Sequence, residues 1–345
     1  MATEATVKVG VQSAKGTPDT SNLICTRMLE IEQDPEFNFT DDELEYSCTG
    51  TVDRPTLRKS FANVESYRVT HNYVANLYPD AIGAMLVGGG FQCVTTADNP
   101  ESGVNRHVFT VGSSAAAKWL TFLRSIGSTL DTRAIDNRIT SIAIADSRKN
   151  VRATYQGTGL THGEPAGTET SVNEAAFKLL QLGFFTVNYA GSPIIDSTNT
   201  PTKLRPYQSH TLTIANPQEE EEGWYEAGIS DLTPNGLDIT GNIQGLEVDE
   251  DLYKIIDWGG AAGTAPAVTL PVLDVNYKLQ SAVNISGKSV PYSIEFDFPN
   301  CEGLRDGPIS IRGAENIRLN LTWRMVDTIT TPATITLFNT IASYA

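Results

Sequence analysis

Residues 237–258 read LDITGNIQGLEVDEDLYKIIDW, and this stretch contains both periodicities that decide the fold. Its first half alternates apolar and polar residues, which is the period of a β-strand buried on one face. Its second half opens with acidic residues, which favour a helix N-terminus, and then repeats apolar residues every three or four positions. The stretch therefore predicts a strand that leads directly into a short helix.

The same strand alternation recurs along most of the chain. It is found in SYRVTHNYV (66–74), RITSIAIA (138–145), VRATYQGTGL (151–160), SHTLTIA (209–215), YSIEFDFP (292–299), IRLNLTWRMV (317–326) and ATITLF (333–338). Thr, Val, Ile and Tyr dominate these segments, and Gly, Pro, Asn or Asp separate them. The sequence predicts a mainly β, mainly antiparallel protein.

Helical periodicity is confined to a few short segments. They are SSAAAKWLTFLRSIG (113–127), VNEAAFKLLQLGFF (172–185) and DEDLYKIIDWGG (249–260). In the first, a serine can cap the N-terminus and Gly127 can end the helix, while Trp119, Phe122 and Ile126 share one face. Each of the three segments predicts a short helix.

The two halves of the chain share a faint order of segments. In the first half, VESYRVTHNYV (64–74) runs into NLYPDAIGAML (76–86), and in the second, LDITGNIQGLEV (237–248) runs into DEDLYKIIDW (249–258). We therefore predict two related β units, residues 1–190 with an N-terminal arm and an extended loop, and residues 191–345, with the junction in the loop-like composition of 185–207. Unrelated strands with the same generic patterning would give an equally weak similarity.

Charge limits the classes of partner. The chain has 345 residues, 41 acidic against 25 Lys and Arg, and a formal net charge of −16. A general grip on nucleic acid needs a basic surface, so we expect any DNA to be repelled rather than bound.

The start of the chain has no signal-peptide pattern and no apolar run approaches the roughly 20 residues of a membrane span, so we expect cytoplasmic folding and no membrane partner. The four scattered cysteines are expected to be reduced and mostly buried.

Sequence motifs for nucleotide or dinucleotide binding are incomplete. SGKS (286–289) lacks the glycine of a phosphate-binding loop, because Ala282 stands in its place, and a polar hairpin turn is the better interpretation. GTGLTHGEPAG (157–167) is glycine-rich but does not open a helix, which favours a strand that ends in a mobile loop.

Catalytic and metal-binding patterns are also missing. His162 beside Glu164 is interpreted as a solvated loop histidine rather than a metal ligand or a base. The acidic start of DEDLYKIID lacks the glycine and the closing glutamate of a calcium loop, and a charged helix start explains it. We expect no catalytic residues, no metal and no cofactor, although a triad assembled from distant residues would leave no sequence motif.

Two acidic clusters have no obvious catalytic purpose. Glu219, Glu220, Glu221 and Glu222 stand just before Trp224 and Tyr225, and Asp41, Asp42, Glu43 and Glu45 fall in a long N-terminal stretch. A run of glutamates is most simply a solvated loop that mutual repulsion extends. It can alternatively be an acidic patch that faces a polyanion or meets a basic patch on a neighbouring subunit.

The order of segments resembles the tail tube proteins of long-tailed, non-contractile bacteriophages. The similar segments are VKVGVQSAKGTPDTSN (7–22), LEIEQDPEF (29–37), LYPDAIGAMLVGGG (77–90), RHVFTVGSS (106–114), VRATYQGTGLTHGEPAGTET (151–170) and LDITGNIQGLEVDEDLYKIID (237–257). The resemblance implies β-sandwich or β-barrel units with short flanking helices, and the two related halves predicted above would be two such units. It also implies subunits that form rings and stack into a tube through which the genome passes.

This resemblance implies the function and the partners. The protein would be a structural component of the virion tail, assembled in the host cytoplasm, with no catalysed reaction. Its partners would be further copies of itself, the tail terminator, tape measure and tail tip proteins, and DNA only as transiting cargo. One unit per chain implies a hexameric ring and two imply a trimer with pseudo-six-fold symmetry, and the predicted duplication favours the trimer. The candidate acidic patch would then face the lumen or the seam between rings, and Asp41 to Glu45 would belong to an arm or loop that reaches the next ring.

Other classes stay open. The chain can instead be another non-enzymatic phage β protein, such as a tail tip, a decoration protein or an adhesin that stacks sugars on Trp224 and Tyr225. These two aromatic residues can equally belong to a core or a subunit interface. A hydrolase with a dispersed triad is the more remote alternative.

Overall fold

A computed structural model gives the fold of this chain. It describes residues 5–43, 60–111, 117–126, 130–147, 150–165, 171–172, 179–197, 207–222, 229–266, 268–310, 317–326 and 332–344. The chain is mainly β, as the strand periodicity predicts, and its described part contains two short helices.

The elements follow one another in chain order. The first group comprises β1 (Ala5–Val11), β2 (Leu23–Glu43), β3 (Ser60–Asn76), α1 (Ala81–Gly88), β4 (Phe91–Thr96), β5 (Asn105–Val111), β6 (Leu120–Ile126), β7 (Leu130–Ser147), β8 (Asn150–Gly163) and β9 (Ser171–Val172). The second comprises β10 (Leu180–Tyr189), β11 (Ser192–Asp196), β12 (Ser209–Ala215), β13 (Gln218–Glu222), β14 (Ile229–Pro234), β15 (Asp238–Glu247), α2 (Glu250–Trp258), β16 (Val272–Asn284), β17 (Pro291–Ser310), β18 (Arg318–Met325) and β19 (Thr334–Asn339).

Six strands of the first group close into a ring, which we call the first strand set. The antiparallel pairings run β1, β2, β3, β8, β7, β6 and back to β1. Helix α1 follows β3 in the chain, and all its residues are buried. Each member pairs with two others over part of its length, so the backbone hydrogen bonds of those stretches are satisfied inside the set.

Six strands of the second group, which we call the second strand set, have the corresponding spatial order. Their pairings run β12, β15, β18, β17, β16 and β10. Each of these six strands corresponds in chain order to a member of the first strand set, and α2 follows β15 as α1 follows β3. The division at residue 190 stays a prediction, although β10, which lies before it, pairs with β16 and so belongs to the second strand set.

The two strand sets meet edge to edge. Strand β7 pairs with β6 through its first half, while its second half, residues 141–147, pairs antiparallel with residues 209–215 of β12. Tyr277 of β16 reinforces this joint, since its hydroxyl donates to Asp146 Oδ2 at 3.1 Å. The joint makes a single 17-stranded sheet of both sets, and only β13 and β14 form a separate sheet in the described part of the chain.

Of the predicted helices, only the third is confirmed. Helix α2 begins after Asp249, whose carboxylate accepts a hydrogen bond from the Leu252 amide at 2.9 Å, and ends at Gly259 in the left-handed conformation. The helix predicted over 113–127 is wrong from Leu120 onward, because that stretch is β6, paired on both edges with β1 and β7. The helix predicted over 172–185 is wrong at 180–185, which begin β10, while 173–178 lie outside the described residues. Pairing with distant strands overrides weak helical periodicity.

The incomplete motifs have structural roles. Residues 286–289 form the turn between β16 and β17, and Gly287 has a positive φ of 72°. Ser289 of this turn donates from both its amide and its hydroxyl to Glu101 Oε1, at 2.7 and 3.0 Å. The loop predicted at the end of GTGLTHGEPAG (157–167) begins only after Gly163, and GTGLTHG itself is the end of β8, which confirms the predicted strand. There a Cβ atom at Gly159 would lie 1.9 Å from Asn137 Oδ1, so glycine is required by close packing.

The residues after β19 are fixed in the core beside α1. The Tyr344 hydroxyl donates to the Asp80 carbonyl at 2.6 Å, and Asn339 donates to that hydroxyl at 2.7 Å. The ring of Tyr344 fills the space over Gly83, where a Cβ atom would lie 2.3 Å from it. This packing joins the C-terminal strand to the helix of the first half.

Candidate assembly surfaces

The glutamate run forms one strand of a β-hairpin, which we call the acidic hairpin (β13 and β14). Glu219 lies opposite Thr233, and Glu221 lies opposite Asp231. The hydroxyl of Thr233 donates to Glu221 Oε1 at 2.7 Å. The side chains of Glu219, Glu220 and Glu221 are exposed. The prediction of an extended loop is therefore wrong, while the exposure of these three glutamates agrees with the prediction of a solvated run.

The acidic hairpin is anchored to the first strand set. Leu232 and Ile229 of β14 are buried in a small cluster with Leu160 of β8, and Trp119 packs against it. The guanidinium of Arg138 lies 4.0 Å from the centre of the Trp119 ring and donates to the carbonyl of Leu232. A cation over an indole and a hydrogen bond to the backbone together hold the hairpin in one place.

Charge also contributes to this anchor. Lys15 forms an ion pair with Asp231 at 3.2 Å and donates to the carbonyl of Ser230. Burial lowers the pKa of Arg138, and the nearby Asp231 counteracts that shift. The cations of Lys15 and Arg138 thus both contact β14, whereas the glutamates of β13 that the structure describes are exposed.

Strands β2 and β3 extend well past the rest of the first strand set. Strand β8 pairs with β3 only over Val69–Asn76, whereas β2 pairs with β3 as far as Glu43 and Ser60. The remaining two-stranded segment, residues 37–43 with 60–67, is called the ribbon here. The ribbon contains Asp41, Asp42 and Glu43, three of the four residues predicted to belong to an arm or loop. The fourth, Glu45, lies outside the described residues, as do residue 223, Trp224 and Tyr225 beside the acidic hairpin.

The buried histidines serve packing and hydrogen bonding. His71 bonds Asn137 through Nε2 and Tyr73 through Nδ1, the latter at 2.9 Å, and burial lowers its pKa to about 4. His107 bonds Thr95 and Asn339, both at 2.9 Å. His162 is partly buried at the end of β8 rather than in a solvated loop. In the described part of the chain, no three His, Cys, Asp or Glu side chains come close enough to hold a metal ion.

The sequence alone did not predict the acidic hairpin or its anchor. Glutamate is depleted in strands, so four in succession favour a loop until a pairing partner is known. The residues after the run gave no clear strand signal, because the apolar Ile229 and Leu232 stand three positions apart instead of two. Arg138 gave no sequence signal, because its contacts come from residues far away in the chain.

Comparisons with known proteins identify no family for this chain. No protein-family model matches it, and a search of curated proteins found no match. Among the helices that the structure describes, neither has the length and apolar character needed to cross a bilayer.

Proposed function

We propose that this protein is a structural tail tube subunit that assembles into stacked rings around a channel for DNA. The observation that carries the proposal is the edge-to-edge joint of β7 with β12, which unites two strand sets of corresponding order within one chain. A ring of such sets needs only the same joint between chains, and closure of the ring removes unpaired strand edges.

The charge distribution supports a conduit for DNA. The net charge of −16 and the exposed glutamates of the acidic hairpin repel phosphates, so a duplex would pass without adhering. The ribbon supplies the extended element that a stacked assembly requires for contact with the next ring. The two strand sets per chain favour three chains to a ring, giving pseudo-six-fold symmetry, with terminator, tape measure and tip proteins as further partners in the virion tail.

Negative-stain microscopy of the concentrated protein tests the proposal. We expect hollow rings or tubes, and class averages should show whether three or six chains form a ring. Particles that stay monomeric over the whole concentration range would rule the proposal out. Rod-like spikes without a channel would instead favour a decoration or adhesin role.

The position of the acidic hairpin is tested by replacing Glu219, Glu220, Glu221 and Glu222 together with glutamine. If the hairpin lines the channel, rings should form normally, because the anchor through Arg138 and Leu232 is intact, whereas genome delivery should slow as repulsion of DNA is lost. The measurements are microscopy of rings and the rate of DNA release from phage complemented with the variant. Failure of the variant to form rings would place these residues at an interface between subunits.

A further inference from the structure

The internal joint uses both edges of the strands that form it. Residues 141–147 of β7 pair with β8 on one edge and with β12 on the other. Residues 209–215 of β12 likewise pair with β7 and with β15. No edge remains open at this place in the sheet.

The counterparts of these strands each have one open edge. By position in the strand sets, β17 corresponds to β7 and β2 corresponds to β12. Within residues 304–310 of β17, residues 304–306 and Ser310 pair with β18 alone, and residues 30–36 of β2 pair with β3 alone, among the residues that the structure describes. Strands β17 and β2 therefore each lack the second pairing partner that β7 and β12 provide for each other in the internal joint.

Strand register identifies the corresponding segments. Tyr73 of β3 and Ile243 of β15 are buried residues shortly before α1 and α2, and we align the two sets on them. Ile31 of β2 lies opposite Tyr73, and His210 of β12 lies opposite Ile243, so residues 30–36 correspond to residues 209–215.

The same alignment applies to the other side of the joint. Tyr155 of β8 and Leu321 of β18 pair with Tyr73 and Ile243. Beyond them, Ile142 of β7 lies opposite Tyr155, and Arg305 of β17 lies opposite Leu321. The segment that starts at Leu304 therefore corresponds to the segment that starts at Ser141.

We propose that residues 304–310 of one copy pair antiparallel with residues 30–36 of a second copy, as β7 pairs with β12 inside the chain. The inference rests on the proposed self-assembly and names the strands that perform it. It assigns a second copy of this chain to both open edges, so that strand sets follow one another with one kind of joint throughout.

The internal joint supports a second copy as the occupant, because the corresponding strands β7 and β12 already pair with each other within the chain. Leu304 is 55% exposed, an apolar side chain beside an open edge. The support is geometric and does not come from charge, since residues 30–36, EIEQDPE, contain four carboxylates, whereas residues 304–310 contain both Arg305 and Asp306.

A photo-crosslinking amino acid at position 304 tests the joint directly. We expect irradiation to attach it to the peptide that contains residues 30–36, and mixing isotope-labelled with unlabelled protein should show that the attachment joins two copies. The same amino acid at Val94, which is 66% exposed on β4, is the matched control and should not reach that peptide. Attachment from position 304 to other peptides only would overturn the proposed joint.

A charge substitution separates this inference from the proposed function. Leu304→Glu should reduce ring formation at least tenfold, because the register of the internal joint places position 304 opposite Glu36 and like charges directly opposite each other destabilise strand pairing. Val94→Glu should leave ring formation unchanged. Rings that form normally with Leu304→Glu and cross-link elsewhere would overturn the joint and leave the tube proposal standing. Cross-linked copies joined at 304 and 30–36 that never form rings or tubes would support the joint and overturn the tube proposal.

Discussion

His210 is enclosed by aromatic rings in the second strand set. Phe185 and Tyr277 lie 4.6 and 4.7 Å from it between ring centres, and Trp323 is stacked at 6.2 Å. Neither ring nitrogen of His210 has a hydrogen-bond partner among the described residues. Burial lowers its pKa from 6.5 to about 3, so the native protein holds this imidazole neutral.

His210 should make the protein sensitive to acid. The unfolded chain takes up a proton at this residue below pH 6.5, and the native protein does so only near pH 3, so stability falls as pH decreases through that window. We expect His210→Leu to have the same free energy of unfolding as the natural protein at pH 7. Between pH 7 and pH 5, its free energy of unfolding should fall by roughly 2 kcal/mol less than that of the natural protein. Urea unfolding at both pH values measures this, with His162→Gln as the control. If the leucine variant loses as much unfolding free energy between pH 7 and pH 5 as the natural protein, His210 is not the source of the acid sensitivity.

Asp80 should have the opposite pH dependence. It precedes α1 without capping it, its Oδ1 has no hydrogen-bond partner in the described part of the chain, and burial raises its pKa from 3.8 to about 7. Because the unfolded carboxyl ionises first, stability from this group is complete below pH 3.8 and is lost as pH rises to about 7.

The substitution Asp80→Asn removes this ionisation. We expect the variant to gain roughly 2–3 kcal/mol in unfolding free energy relative to the natural protein as pH rises from 5 to 8. Denaturant unfolding across that range provides the measurement. A difference between the two proteins that does not change with pH would show that Asp80 is not buried as an uncharged acid.

At the scale of elements, the acidic hairpin depends on contacts at its base. Arg138→Ala removes both the cation over Trp119 and the hydrogen bond to Leu232. We expect amide exchange in residues 229–234 to accelerate at least tenfold, since the buried face of the hairpin loses its anchor. Arg324→Ala, which removes an exposed pair with Asp238 at 2.9 Å, is the matched control and should leave that exchange unchanged. Equal protection in both variants would mean that the buried Leu232 and Ile229, together with the contacts of Lys15, hold the hairpin without Arg138.

The sequence predicted elements well where the signal is local. Asp249 caps α2 through its own side chain, and the alternation in SHTLTIA matches the burial of His210, Leu212 and Ile214 in β12. It failed at residues 120–126, where Phe122 and Leu123 fit a helix face equally well. The strand there is fixed by pairing with β1 and β7, which no local pattern reveals.

The candidate surfaces were predicted in composition but not in structure. Glu219, Glu220 and Glu221 are exposed, as the prediction of a solvated run requires, yet the pairing of Glu219 with Thr233 and the extension of the ribbon to Glu43 depend on partners elsewhere in the chain. Strand register is the missing information, because a slip of one residue reverses which side chains face the core.

At the scale of the whole molecule, β7 pairs with strands of both strand sets, and this predicts cooperative unfolding. Residues 130–137 pair with β6 and residues 141–147 with β12, so neither set can lose its pairing without affecting the other. We expect calorimetry of the unassembled chain to show one transition, with equal calorimetric and van't Hoff enthalpies. Two separate transitions would show that the sets unfold independently and that the β7 joint is weak.

The corresponding order of the two strand sets has no strong signature in the sequence. The shared succession of strand and helix at 64–86 and 237–258 indicated a relation, but the insertions β4, β5, β13 and β14 fall at different places in the two halves. The spatial neighbours β7 and β12 are separated in the chain by β8 to β11, so their pairing becomes visible only in three dimensions.

Strands β7 and β12 belong to one chain, so the joint between them is intramolecular, and this has a kinetic consequence. In a ring of six strand sets, three of the six joints would already exist in the separate chains and would not depend on protein concentration. Nucleation would then require three molecules to meet instead of six, and the rate of ring formation would rise with a correspondingly lower power of concentration. The chain would thereby start assembly at dilutions where single-set subunits remain apart.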